Sequence, residues 1–138
     1  MRVLHVAAGE LSSGAAIGAY LLHKALCELG INSKFLSSGR DTCDDESVIT
    51  LVSGSNQKYL KSKIRARIGN FPLAFYPRRK PWTFDTGLSG IDFTRLSEYK
   101  SADLIHLHFV NGLVAMPTLR RVKKPIVWTI RDMWPLTG

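Results

Sequence analysis

The feature that most constrains this chain is a succession of short apolar runs that stop abruptly at small or polar residues. RVLHVAA, Arg2 to Ala8, runs into Gly9, and SKFLSS, Ser33 to Ser38, runs into Gly39. SVITLV (Ser47 to Val52), DLIHLHF (Asp103 to Phe109) and PIVWTI (Pro125 to Ile130) repeat the pattern. Runs of this length bounded by turn residues mark buried strands. Between the first two lies a helical stretch to about Leu29. In it, Ala15, Ala19, Leu22, Leu26 and Leu29 recur at spacings of four and three, a stripe expected to face a core. Ser12 or Ser13 can cap its start, and Gly30 suits its end. A short helix is expected over Phe93 to Tyr99 and another from about Leu113 to Val122, where Pro117 marks an early turn or a kink.

Strands separated by helices predict parallel crossover units, hence a Rossmann-like, doubly wound α/β sheet with right-handed connections. Ligands in such sheets sit beyond the carboxyl ends of the strands, near the point where strand order reverses. Three strand ends carry unusual residues: Gly9 to Gly18 after the first, His108, Asn111 and Gly112 after the fourth, and Arg131 and Asp132 after the fifth. The glycine loop opens a helix, so its N–H groups and the helix dipole suit a phosphate or carboxylate. A tight turn with small residues for close packing is the plain alternative. Gly9, Gly14 and Gly18 do not form a GxGxxG fingerprint, and no acid ends the second strand to hold a ribose, which argues against a nicotinamide dehydrogenase.

His106 and His108 alternate along one strand and therefore share a face. His106 reads as a hydrogen-bonded core residue, while His108 sits where a ring can reach the crevice. A metal site needs a third ligand nearby and none is signalled, so no metal is expected. His5, in a strand pattern, and His23, in a helical one, read as structural. Arg131 and Asp132 either pair with each other, for little gain on a surface turn, or serve the crevice. Trp128 and Trp134 read as packing residues, Trp134 also as a wall for the crevice. Cys27 and Cys43 form no ligand spacing and read as reduced thiols.

Charge is local. The net charge is +8, yet Lys58, Lys61, Lys63, Arg65, Arg67, Arg78, Arg79 and Lys80 lie in a stretch without acids, and the remaining cations and acids balance. The stretch belongs to an insertion at about 54–92 in which Leu60, Ile64 and Ile68 are four apart, with Phe71, Phe75, Tyr76 and Trp82 nearby. A solvated face is one reading. An interfacial helix on anionic lipid is another, since each cation contributes about 1 kcal/mol near such a surface. Nucleic acid is disfavoured because no recognition motif accompanies the charge. A mean hydropathy of −0.01 and the absence of any long apolar stretch predict a globular chain in the cytoplasm, peripheral on the membrane's inner face if the patch meets lipid.

MRVLHV, SSGAAIGAYLLHKALCELGINSKFL, ADLIHLHFVNG and KKPIVWTIRDMWPLTG together resemble the amino-terminal domain of retaining GT-B glycosyltransferases of family 4. The likeness is to the bacterial branch that builds exopolysaccharide, capsule or lipopolysaccharide. It covers both ends of the chain, and the middle, about Arg40 to Thr94, only weakly. It implies that residues 1–138 form the acceptor-side domain, incomplete, of a two-domain enzyme whose donor-binding domain lies outside this sequence, so that this chain alone is inactive. The implied donor is a UDP- or GDP-linked sugar, the implied acceptor a lipid-linked or other saccharide, with no further cofactor. The resemblance puts Ser13, Gly14 and Ala15 at the donor diphosphate and His108, Asn111, Arg131 and Asp132 on the acceptor side. The family often has Gly at the place of Ser13 and His at the place of Arg131. An arginine stays charged near pH 7 and cannot serve as a general base, so only binding or charge stabilisation carries over. The rival expectation is a non-catalytic basic α/β module that binds anionic membrane, glycan or a partner protein.

Overall fold

The computed structural model describes residues 1–12, 14–39, 44–51, 71, 75 and 86–137. These residues form an α/β fold around one five-stranded sheet: β1 (Arg2–Ala7), β2 (Asn32–Ser37), β3 (Val48–Thr50), β4 (Leu104–Leu107) and β5 (Ile126–Trp128). The order is β3-β2-β1-β4-β5 and every pair is parallel, consistent with a Rossmann-like fold. β1, β3, β4 and β5 fall inside their expected apolar runs and are shorter by one to three residues, while β2 begins one residue early, at Asn32.

Pairing sorts the side chains into two faces, because alternate residues point opposite ways. Leu4, Val6, Leu36, Ile105 and Leu107 face a dry core completed by Phe93, Tyr99, Ala102, Val110, Leu113 and Val114. This layer comes from a 3-10 turn (Phe93–Arg95), from α2 (Ser97–Ser101) and from the chain after β4. Asp92 opens the turn by accepting the Thr94 N–H, and Arg95 and Arg121 converge on the same carboxylate. Gly90, at φ 146°, lets this segment lie against the next one. A Cβ there would sit 2.4 Å from the Ala115 nitrogen, beside the parallel bridge of Ile91 to Val114.

The other face is covered by α1 (Gly14–Glu28), so helical segments lie on both sides of the sheet. The end of α1 matches the expectation at Gly30. At φ 76°, Gly30 donates to Cys27 O and Ile31 donates to Leu26 O, the paired bonds of a Schellman cap. The expected core stripe needs correction. The buried residues of α1 are Ala16, Ala19 and His23, whereas Leu22 is partly exposed and Leu29 is 76% exposed. Ala19 packs against Ala7 and Phe35, so small residues let the helix axis approach the sheet.

The helix expected over Leu113 to Val122 is also shorter. A turn comes first, and α3 spans only Met116–Leu119, with Pro117 in its first turn where its missing N–H costs nothing. A last short helix, α4 (Trp134–Thr137), follows β5. No helix among the described residues is long and apolar enough to cross a membrane. The eight cations of the basic stretch, the Leu60–Ile64–Ile68 stripe, and Ser13 and Cys43 lie outside the described residues. Of that stretch, Phe71 and Phe75 are described; both are exposed and their rings meet edge to face at 5.8 Å.

Candidate functional site

Strand order brings the three unusual strand ends side by side. β1, β4 and β5 are consecutive in the sheet, and the order reverses between β1 and β4. Beyond Ala7 the backbones of β1 and β4 stay joined, His108 donating to Val6 O and Ala8 to Phe109 O. Gly9 then leaves at φ 100°. Its N–H donates to Ser38 Oγ at 2.9 Å and its carbonyl accepts from Ser37 Oγ at 2.9 Å. The serines that end β2 thus hold the first loop in place, which explains small hydroxyl residues where a dinucleotide site would want an acid. The Gly9 N–H is already engaged; Gly14, at φ 44°, is exposed and begins α1, with Ala15 half-buried behind it.

Arg131 is exposed at the end of β5, and its side chain reaches back across the sheet to α1. A Cβ on Gly18 would lie 2.7 Å from Arg131 Nη1, so the glycine leaves room for the guanidinium. No ion pair joins Arg131 to Asp132; among the described residues the ion pairs are Arg2–Asp103, Lys24–Asp45, and Asp92 with Arg95 and Arg121. Asp132 is half-buried and Asn111 half-buried beside Gly112, at φ 69°. Trp128 packs on the apolar face and donates its indole N–H to His108 O at 3.0 Å.

Beneath Arg131 lies a cluster that the sequence did not announce. The β1–β4 register sets His5 directly beside His106, and His108 follows two residues on along the same face. The His106 and His108 ring centroids are 4.1 Å apart, and His5 lies 5.0 Å and 5.3 Å from them. His108, expected to reach the crevice, is instead only 1% exposed, and its Nε2 shares a 3.0 Å hydrogen bond with His5 Nδ1. His106 is half-buried and bonds Thr129 Oγ1 at 2.8 Å.

Burial of His5, reinforced by His108 and its other histidine neighbours, lowers its pKa to about 3. His108 is likewise brought to about 3 by burial, then by His106 and Arg131. His106 is lowered by burial and Arg131. All three rings are therefore neutral near pH 7. The remaining nitrogens, His5 Nε2 and His108 Nδ1, are buried without a partner. Whichever ring carries the shared proton, one orphan is then an N–H and the other a bare lone pair. Leaving such groups unpaired costs about 1–3 kcal/mol each.

His23 is different. It is buried on α1 with both nitrogens engaged, Nδ1 with Ser33 Oγ at 2.7 Å and Nε2 with Ser47 Oγ at 2.8 Å. That is the structural histidine the sequence suggested. His5 was read the same way, and nothing in its strand pattern could reveal the neighbour that a register would bring.

Together these features define an α/β parallel-sheet unit with a glycine-bearing loop and an arginine at the strands' carboxyl ends and a histidine cluster beneath them. No family model, curated protein or solved structure matches the chain.

Proposed function

We propose that the chain is the acceptor-side unit of a retaining GT-B glycosyltransferase of family 4, acting in cell-surface polysaccharide synthesis. The complete enzyme moves a sugar from a UDP- or GDP-linked donor to a hydroxyl of a lipid-linked or other saccharide, at the inner face of the membrane. The observation that supports this most is the adjacency of the β1, β4 and β5 ends. It gathers the residues of the resembling motifs, Gly14, Ala15, Asn111, Arg131 and Asp132, at one edge of the sheet.

On this proposal Arg131 supplies a fixed positive charge next to the amino-terminal half of α1, a corner suited to an anionic diphosphate or acceptor. His108 keeps the shape of the floor rather than moving a proton, since its ring is buried and engaged with His5. Rate enhancement then rests on orientation and on stabilising the departing diphosphate.

The test is turnover of UDP- and GDP-sugars by the protein translated from the complete reading frame, with lipid-linked saccharide as acceptor. Acceptor-dependent release of nucleotide diphosphate, reduced at least tenfold by Arg131→Ala, is expected. No turnover with any common donor, combined with salt-sensitive binding to anionic vesicles, would instead identify a non-catalytic membrane-binding module.

A further inference from the structure

We propose that His5, His106 and His108 form a binding site for one late first-row divalent cation, with zinc as the natural occupant. The inference is independent of the glycosyltransferase reading and rests on the described side chains alone.

Three imidazoles on adjacent strands offer one nitrogen each, and these ligand atoms lie within 4.8 Å of one another. Zinc–nitrogen bonds of about 2.0–2.1 Å in a tetrahedron set nitrogens about 3.3 Å apart. The rings therefore need to draw in by at most about 1.5 Å, which side-chain rotation supplies without moving the strands. His5 Nδ1 and His108 Nε2 are already 3.0 Å apart.

A packing role alone does not account for the arrangement. Three histidines side by side in a sheet leave two buried nitrogens without partners, where leucine or valine would leave none. His23 shows how this fold satisfies a purely structural imidazole, with a serine on each nitrogen. The cluster instead sets His5 Nδ1 and His108 Nε2 face to face across one shared proton in a buried place, and a cation can take the position of that proton once the ring that carries it changes tautomer. The donor set is all nitrogen, with no thiolate or carboxylate in the group, which suits zinc, copper or nickel rather than calcium or magnesium. A second contact already orients one ligand, since His106 Nε2 bonds Thr129 Oγ1. Half-buried His106, next to the 46% exposed Val127 on the neighbouring strand, gives the ion a way in.

Arg131 sets a further, sharper expectation. Its guanidinium lies against Gly18 of α1, the helix that covers the histidine face, just past the strand next to β4, so its positive charge opposes a bound cation. Removing that charge should tighten the site.

The experiment takes the chelator-stripped 138-residue chain and titrates it with cobalt(II), whose d–d absorption reports geometry, and then displaces cobalt with zinc(II). Expected are one ion per chain and a low-coordinate cobalt spectrum that zinc abolishes. His106→Gln should weaken zinc at least tenfold, Arg131→Gln should strengthen it several-fold, and Cys27→Ser should leave it unchanged. Imidazole 15N shifts of the unsubstituted chain identify the ligands without any variant, so a variant that fails to fold does not stop the test. Absence of stoichiometric binding by the unsubstituted chain overturns the proposal. So does binding that leaves the three imidazole spectra unmoved, or equal affinity in a folded His106→Gln chain.

Discussion

On one face of the sheet, Leu4, Val6, Leu36, Ile105 and Leu107 interlock with Phe93, Tyr99 and Val114; on the other, alternate residues of the same strands present His5, Ser33, Ser37 and His106. The first face is what a hydrophobic effect would assemble unaided. The second is buried almost as deeply, yet it carries hydrogen-bonding groups, two of them unpartnered. Burial is thus used for stability on one side. On the other it fixes protonation states beneath the strand ends, at a cost in stability.

The largest effect should come from breaking the apolar side. Gly90→Ala forces a methyl group against the backbone of Val114 and Ala115 at an unfavourable φ. A loss of about 3 kcal/mol or more is expected in denaturant unfolding. A loss below about 1 kcal/mol would mean that this close approach does not hold the layer together.

Acid should expose the other side. With folded-state pKa values of about 3, His5 and His108 take up protons less readily folded than unfolded, where the ordinary value is 6.5. The unfolded chain then binds more protons between these limits, so stability falls as pH falls from about 6.5 toward 3. Each histidine contributes a slope of up to about 1.4 kcal/mol per pH unit there. The carboxylates of Asp45, Asp92 and Asp103, lowered chiefly by hydrogen bonds from Ser47, Thr94 and Arg2, add acid lability only near and below the usual carboxylate range. Replacing both rings, His5→Leu with His108→Leu, should flatten the upper part of this curve and change stability at pH 7 by no more than about 1 kcal/mol, since both orphaned nitrogens leave together. An unchanged slope would break the contrast between the faces.

The strands were legible because a buried parallel strand is an uninterrupted apolar run, and the Gly30 stop was legible because its φ suits glycine. The apolar face followed from the same signal. The histidine face did not. His5 and His106 are far apart in the chain, and only the order β2-β1-β4 makes them neighbours. On α1, the spacing of Ala16, Ala19, Tyr20 and His23 is as helical as that of Ala15, Ala19 and Leu22. Hydrophobicity favoured the leucine stripe, but close approach to the sheet and the two serines waiting for His23 favoured the other. The Arg131 contact with Gly18 was likewise invisible, because a glycine inside a helix signals close approach without naming what approaches.

That contact gives the smallest expected effect. Gly18→Ala should shift the far end of the Arg131 side chain and gain up to about 1 kcal/mol of helix propensity. Thermal stability should therefore hold or rise slightly, while any function of Arg131 weakens. A clear loss of stability would show that the guanidinium cannot yield.

The most direct measurement is imidazole NMR of the four histidines across pH 7.5 to 4. The account predicts that His5 and His108 remain neutral to the acid end of that range, on slowly exchanging tautomers coupled through their shared hydrogen bond. Titration of both rings near pH 6.5 in the folded chain would contradict it, because the histidine face would then be open to water rather than buried beneath α1.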